Sequence, residues 1–433
     1  MLIPSVSDLH HRVLSHQYVI DASVLVAGAN VLAFWMAPGW SQLCVNPIPP
    51  SCMALRRLPA RLTHLCLSRL STWPDKATKF PGREWPGVGF NVTRAPLVMA
   101  EMRVCSTACY TCACSFPVTT NGTSGWKAKA SSMEHTGAWQ WGNYGGELLD
   151  HRLELAAWST TAPTAGWASA VEYTVDKRVT PESLEAMESV ETLPASGIAP
   201  CVEQHIRPGQ RSCYVVSLPR IINGFFEATE LPGLKPGETA TLTYSANCLS
   251  PCPTHPRPYT PCAPPTSGAG VCAASPTEWH AVDTVVADAS SSSFANKFNW
   301  HTFQYVIISS NSSTMRLSEA DLGKLQGKRI TNAQEKLGSF SSSSTLLNKV
   351  HEAFVQTYEM LTVSGMQVDC TNRERLGYGG DAHSRIEFAI DSYSSSALYT
   401  KWLTDWSDTQ VCAVVIYMLL LLLLLQLLVV DVT

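Results

Sequence analysis

The chain has 433 residues, 45% of them hydrophobic and 15% charged, with a formal charge of -4. That length supplies roughly two to four domains with cores of their own, and the near-neutral balance without a long basic run argues against a nucleic-acid partner. Its 13 tryptophans and 13 tyrosines are aromatics with polar tips, which suit stacking on sugar rings and the cores of β-sandwiches alike.

The first twenty residues place Asp8, His10 and His11 where an export signal needs a basic end and an unbroken apolar core, so no clear signal peptide is visible. Localisation stays open between extracellular and membrane-associated. Residues 1–75 read as a partial N-terminal β-domain, with short apolar runs over 18–43 followed by a Pro- and Arg-containing insert. Residues 76–167 read as a β-sandwich, with strands expected over 97–104, 126–130 and the alternating run His151 to Ser159. Cys105, Cys109, Cys112 and Cys114 suit a metal, disulfides or free thiols in an insert.

Residues 168–317 predict a second β-sandwich, with strands at Ala170–Val175, Cys213–Leu218, Gly224–Thr229 and Thr239–Ser245, then Phe298–Ile308. The turn Leu234-Lys-Pro-Gly-Glu is expected to close a hairpin between its flanking strands. Residues 248–275, with Cys248, Cys252, Cys262 and Cys272, are too proline-rich for regular structure.

From Leu317 the apolar period lengthens from two toward 3.6. A helix capped by Ser344 or a neighbouring serine should carry Leu346, Val350, Phe354, Tyr358 and Leu361 on one stripe. Two more stripes follow, Ile386 to Tyr393 and Leu398 to Trp406, with a break near Ser394 to Ser396. Residues 411–433 are a hydrophobic tail. Its Val411 to Val430 stretch would span roughly 30 Å as a helix, so a transmembrane helix contacting a membrane and a low-complexity tail both fit.

Between the first two helices lies Asp369-Cys-Thr-Asn-Arg-Glu-Arg-Leu-Gly-Tyr-Gly-Gly-Asp381, three carboxylates and two arginines among three glycines. It is too glycine-rich for a continuous helix and too charged for a buried strand. A loop opened by Gly377, Gly379 and Gly380 could aim Asp369, Glu374 and Asp381 at one small ligand. Asp381 is also placed to cap the helix that follows.

This run resembles the signature of the α-L-rhamnosidases of glycoside hydrolase family 78. Other stretches follow the same order along the chain, among them Asn143 to Glu154, Asn223-Gly-Phe-Phe-Glu and Trp300-His-Thr-Phe-Gln-Tyr-Val. The resemblance implies β-sandwich domains followed by the first helices of an incomplete (α/α)6 barrel over 318–410, then an apolar C-terminal helix. It implies an inverting hydrolase of terminal α-L-rhamnosyl groups, with a rhamnose-containing glycoside or polysaccharide as partner and neither cofactor nor metal. Carried over by position, Glu374 is the general acid. Asp369, Arg373 and Asp381 bind the sugar hydroxyls, and Tyr378 stands where the family often has a tryptophan. The Arg373-Glu374-Arg375 form is shorter by one acidic residue than in many members. Clustered carboxylates would raise the pKa of Glu374 and the arginines oppose that. Neither Glu387 nor Asp391 matches the family's general base, and the resemblance implies a chain impaired in turnover for want of it. The alternative reading is a non-catalytic carbohydrate-binding or membrane-tethered β-sandwich protein.

Overall fold

The computed structural model describes residues 2–3, 12–15, 23, 31–34, 43–44, 89–90, 101–105, 114–119, 125–136, 146–155, 157–160, 166–170, 178–201, 209–246, 282–371, 375 and 377–409. Most of these belong to one sheet-rich body followed by three helices. Of the expected strands over 18–43 only 23, 31–34 and 43 are described, with 31–34 in no strand; apart from Cys44, both Pro-rich inserts and the apolar tail lie outside the described residues.

The main sheet has eleven strands: β1 (Leu2–Ile3), β2 (Met133–Thr136), β3 (Gly146–Asp150), β4 (Met187–Pro194), β5 (Gly197–Pro200), β6 (Ser212–Ala228), β7 (Thr239–Ser245), β8 (Val282–Val286), β9 (Phe294–Ala295), β10 (His301–Ser310) and β11 (Leu325–Asn332). Their order is β1-β4-β11-β6-β10-β7-β8-β3-β2, with β5 and β9 also pairing along β6. All pairs are antiparallel except β8 with β3. Strands from either side of residue 167 thus hydrogen-bond within one sheet.

The longest strand corrects two expectations. The two strands read at Cys213–Leu218 and Gly224–Thr229 are one 17-residue strand, β6. Its register with β10 slips between Ser217 and Ile222, around Pro219, which has no N–H to give the ladder. The turn at 234–238 closes no hairpin, because β6 and β7 lie on opposite sides of β10. Turn chemistry marks where a chain reverses but not which strand it joins next.

Two further expectations fail. His151 to Ser159 is not a strand: β3 ends at Asp150, and His151–Leu153 is a 3-10 turn. Asp150 accepts from the Arg152 N–H at 3.0 Å, and this local bond competes with continued extension. Nor does the change of period come at Leu317: a 3-10 turn at Glu319–Lys324 and then β11 follow it, and the α-helix starts at Thr345, where its Ser344 cap is expected. A disulfide joins Cys201 to Cys213, tying the end of β5 to the start of β6. Cys105 and Cys114 are register partners in a separate antiparallel strand pair, Glu101–Cys105 with Cys114–Thr119.

The sheet has two differently used faces. Alternation along β6 sends Phe226 into a core with Val216, Ile222, Leu242, Val285, Phe303, Ile308 and Met315, all 0% exposed. Its neighbour Phe225 emerges on the other face with Met187, Trp300, Ile330, Val363 and Val368. That second face carries the helical segment.

The helices are α1 (Thr345–Leu361), α2 (Gly379–Ser392) and α3 (Ser396–Thr409). Ser344 caps α1 by accepting from the Leu347 N–H at 3.4 Å, and the α2–α3 break falls at 393–395, where the sequence places it. Polar side chains of the sheet receive the end of α1. Asn223 donates to the Met360 carbonyl, Thr331 donates to that of Glu359 at 2.7 Å, and Arg329 pairs with Glu359 at 2.9 Å. Tyr358 stacks on Tyr393 with ring centroids 4.6 Å apart. The expected stripe on α1 is only partly buried. Tyr358 is 3% exposed, yet Leu346 is 70% and Phe354 59% exposed. At the far end α3 meets the N-terminal segment, where Arg12 pairs with Asp405 and Asp408.

Candidate active site

Between α1 and α2 the chain first makes a small hairpin. Thr362–Val363 pairs with Met366–Gln367 around Ser364 and Gly365, both with positive φ (58° and 75°). Two left-handed residues make the type I′ turn that matches strand twist. The Ser-Gly dipeptide announces such a turn, and the sequence reading passed over it. The hairpin and Val368 pack against Phe225 and Trp300, delivering Asp369 to the edge of the sheet's second face.

From here the loop is fixed at several points. Thr371 is buried, its hydroxyl 2.9 Å from that of Thr302 on β10. Arg375 is held most firmly. Its guanidinium carbon lies 3.7 Å from the centre of the Trp300 ring. It donates to the Trp300 carbonyl at 2.7 Å and the Thr371 carbonyl at 2.9 Å, and reaches Asn299 Oδ1 at 3.5 Å. A planar, multiply bonded guanidinium on an aromatic face is a use that lysine cannot replace. Arg375 has φ 53°, so among the described residues of the loop the left-handed conformation falls on an arginine rather than on a glycine.

Gly377 is required for a different reason. A Cβ there would lie 2.8 Å from Cζ2 of Trp402, so only glycine lets the loop close on α3. Gly379 and Gly380 do not hold the loop open, because they form the first turn of α2. The N-cap is Tyr378, half-buried and without a side-chain capping bond, and Asp381 sits two residues inside the helix. That corrects the expected capping role. Asp381 instead pairs with Arg385 at 3.1 Å, and Arg385 donates to the Val368 carbonyl at 2.8 Å. One arginine therefore ties the two ends of the loop together.

Of the residues expected in the site, Asp369, Tyr378 and Asp381 are half-buried along this loop. Arg373 and Glu374 lie outside the described residues. Cys370 is half-buried, its Sγ 3.4 Å from Asp369 Oδ2. Nearby, Tyr399 donates to Gln367 Oε1 at 3.2 Å. Burial pushes its pKa up to about 12, so it stays a donor at neutral pH. Glu387 and Asp391 are exposed on α2.

Sequence reasoning gave no role to Asn299, Trp300 or Arg385. Arg385 was legible as the partner of Asp381 at i,i+4 on a helix. Asn299 and Trp300 carried no local signal, being some 75 positions from the arginine they receive.

Residues 335–416 match the bacterial α-L-rhamnosidase six-hairpin glycosidase domain. An α-L-rhamnosidase of Formosa agariphila is 31% identical over 113 residues, which are 26% of this chain and 11% of that protein. Among solved structures, the Streptomyces avermitilis α-L-rhamnosidase complexed with L-rhamnose superposes with a TM-score of 0.54 at 19% identity, over 72% of this chain and 26% of that one. The enzyme from Dictyoglumus thermophilum gives 0.51 at 18% identity, over 68% and 29%. The chain therefore spans about a tenth of the curated relative's length and under a third of each of these structures, and at such identities the structures speak for the fold.

Proposed function

From its kinship with the family 78 α-L-rhamnosidases, we propose that this chain carries the acid half of a rhamnoside-cleaving site, with Glu374 as the general acid. Asp369, Arg373 and Asp381 bind the hydroxyls of a terminal α-L-rhamnosyl group and Tyr378 lies against its ring. The observation that carries this reading is the seating of the 369–381 loop. Its flank is pinned to the sheet through Arg375 on Trp300, and its ends are joined by Arg385. Neither arginine is left to serve as a mobile surface charge.

Acid-catalysed inversion needs a second carboxylate roughly 6.5–9.5 Å away to activate water. No described carboxylate stands out for that role, and the exposed Glu387 and Asp391 do not match the family's base. The reading therefore expects this polypeptide to bind rhamnosides and to turn them over slowly. The helices α1 to α3 are, on this reading, the opening of an (α/α)6 barrel, and 318–410 is the start of the catalytic domain.

The test is turnover of an aryl α-L-rhamnoside together with calorimetric binding of L-rhamnose. Glu374→Gln should abolish whatever turnover exists and leave binding within about threefold, whereas Asp381→Asn should weaken binding roughly tenfold, as loss of a charged hydrogen bond does. Binding that no loop substitution disturbs would move recognition to the sheet-rich body and overturn the assignment.

A further inference from the structure

The sheet holds a buried ionisable cluster that the proposed chemistry does not use. Glu147 on β3 is 1% exposed and Asp283 on β8 is 0% exposed. Asp283 Oδ2 accepts from Tyr244 Oη at 2.5 Å, Asn296 Nδ2 at 2.6 Å and His301 Nε2 at 3.0 Å, and Oδ1 accepts from the Glu147 N–H at 2.7 Å. Tyr244 stacks on His301 with centroids 3.9 Å apart. Two carboxylates in a core are costly unless their oxygens are satisfied.

Glu147 is satisfied by a particular stretch of backbone. Its Oε2 accepts from the Lys297 N–H at 2.9 Å, and Oε1 from those of Phe298 at 2.6 Å and Asn299 at 2.9 Å. Asn296 Nδ2 adds a fourth bond at 3.3 Å. Burial and the charge of Asp283 push the Glu147 pKa up to about 7, while the three backbone N–H groups pull it down. Three successive amides converging on one carboxylate fix the conformation of the turn that bears them. That turn ends on Asn299 and Trp300, the residues that receive Arg375. Asn299 belongs to both sets of contacts, through its N–H to Glu147 and its side chain to Arg375.

We propose that Glu147 is a positioning residue for the acid loop: its carboxylate fixes backbone 297–299 so that Asn299 and Trp300 are presented to Arg375, anchoring the loop to the sheet at that residue. The relevance to catalysis rests on the rhamnosidase reading above, but the clamp is a property of this fold and can be tested without turnover.

The experiment is hydrogen exchange by mass spectrometry on the full chain. In the unsubstituted protein, the 296–300 amides should be protected to the level of the β10 core. Glu147→Gln should raise exchange across 368–378 at least tenfold and leave 212–218 unchanged. Trp300→Leu should release the same loop, and in that background Glu147→Gln should add less than twofold. An unprotected 296–300 stretch overturns the proposal even should Glu147→Gln fail to fold. So does a loop unmoved by Glu147→Gln, or additivity of the two substitutions. L-Rhamnose calorimetry on the same proteins separates the two claims. If the loop releases in a protein that never bound rhamnose, the clamp stands and the functional reading falls.

Discussion

Phenylalanines at two places in this molecule meet opposite fates. Phe226, near the end of β6, is 0% exposed and lies among 21 other buried residues of one continuous core. Phe354, in the middle of α1, belongs to an equally regular apolar stripe and is 59% exposed. The sheet buries its first face with its own strands and connections. The helical segment buries only what reaches the sheet or its neighbouring helices, and leaves Leu346, Leu347, Val350 and Phe354 uncovered on α1. Amphipathicity states that a face needs a partner; it does not supply one.

The sharpest way to break that comparison is to make the same substitution in both regions. Phe226→Ala should cost about 3–5 kcal/mol through lost burial and a cavity, whereas Phe354→Ala should stay within about 0.5 kcal/mol. Denaturant midpoints measure both. Equal costs would mean that the α1 face is covered in solution.

The joint between the regions offers a finer test. Gly377→Ala forces a methyl against the Trp402 ring and should cost about 1–3 kcal/mol, as overpacking does. If the loop were loosely placed, the substitution would instead be neutral, or stabilising through the unfolded chain.

The smallest expected effect is a pH dependence. Burial pushes the pKa of Glu359 up, but its hydrogen bond to Lys336 and the charges of Arg329 and Lys336 outweigh this and hold it below 4.5. A carboxylate with a depressed folded pKa stabilises the fold above its unfolded value, and that contribution is lost as the pH falls through the folded one. Acidification below about pH 4.5 should therefore loosen α1 from β11, and Glu359→Gln should flatten this limb in urea midpoints collected between pH 3 and 6. An unchanged limb would show that the ion pairs do not hold the joint.

The legibility of the site follows the reach of each interaction. The Asp369–Asp381 run, the Ser344 cap and the α2–α3 break are set by neighbours within a turn or two, and the sequence alone displays them. The Ser364-Gly365 hairpin belongs with them in principle, although the helical pattern on either side obscured it. Arg375 could be read as a charge in a loop, but its ring partner could not, because Trp300 reaches it from the turn before β10, 75 positions away in the chain.

The residue types, their periods and the 369–381 loop motif were determined by sequence, since a helical or extended period is a property of neighbouring backbone units. Only tertiary structure decided that β6 would run unbroken past Pro219, that β10 would separate β6 from β7, and that Glu147 would support the turn behind Trp300. These outcomes depend on which distant segments share a face, and chain-local chemistry carries no record of that choice.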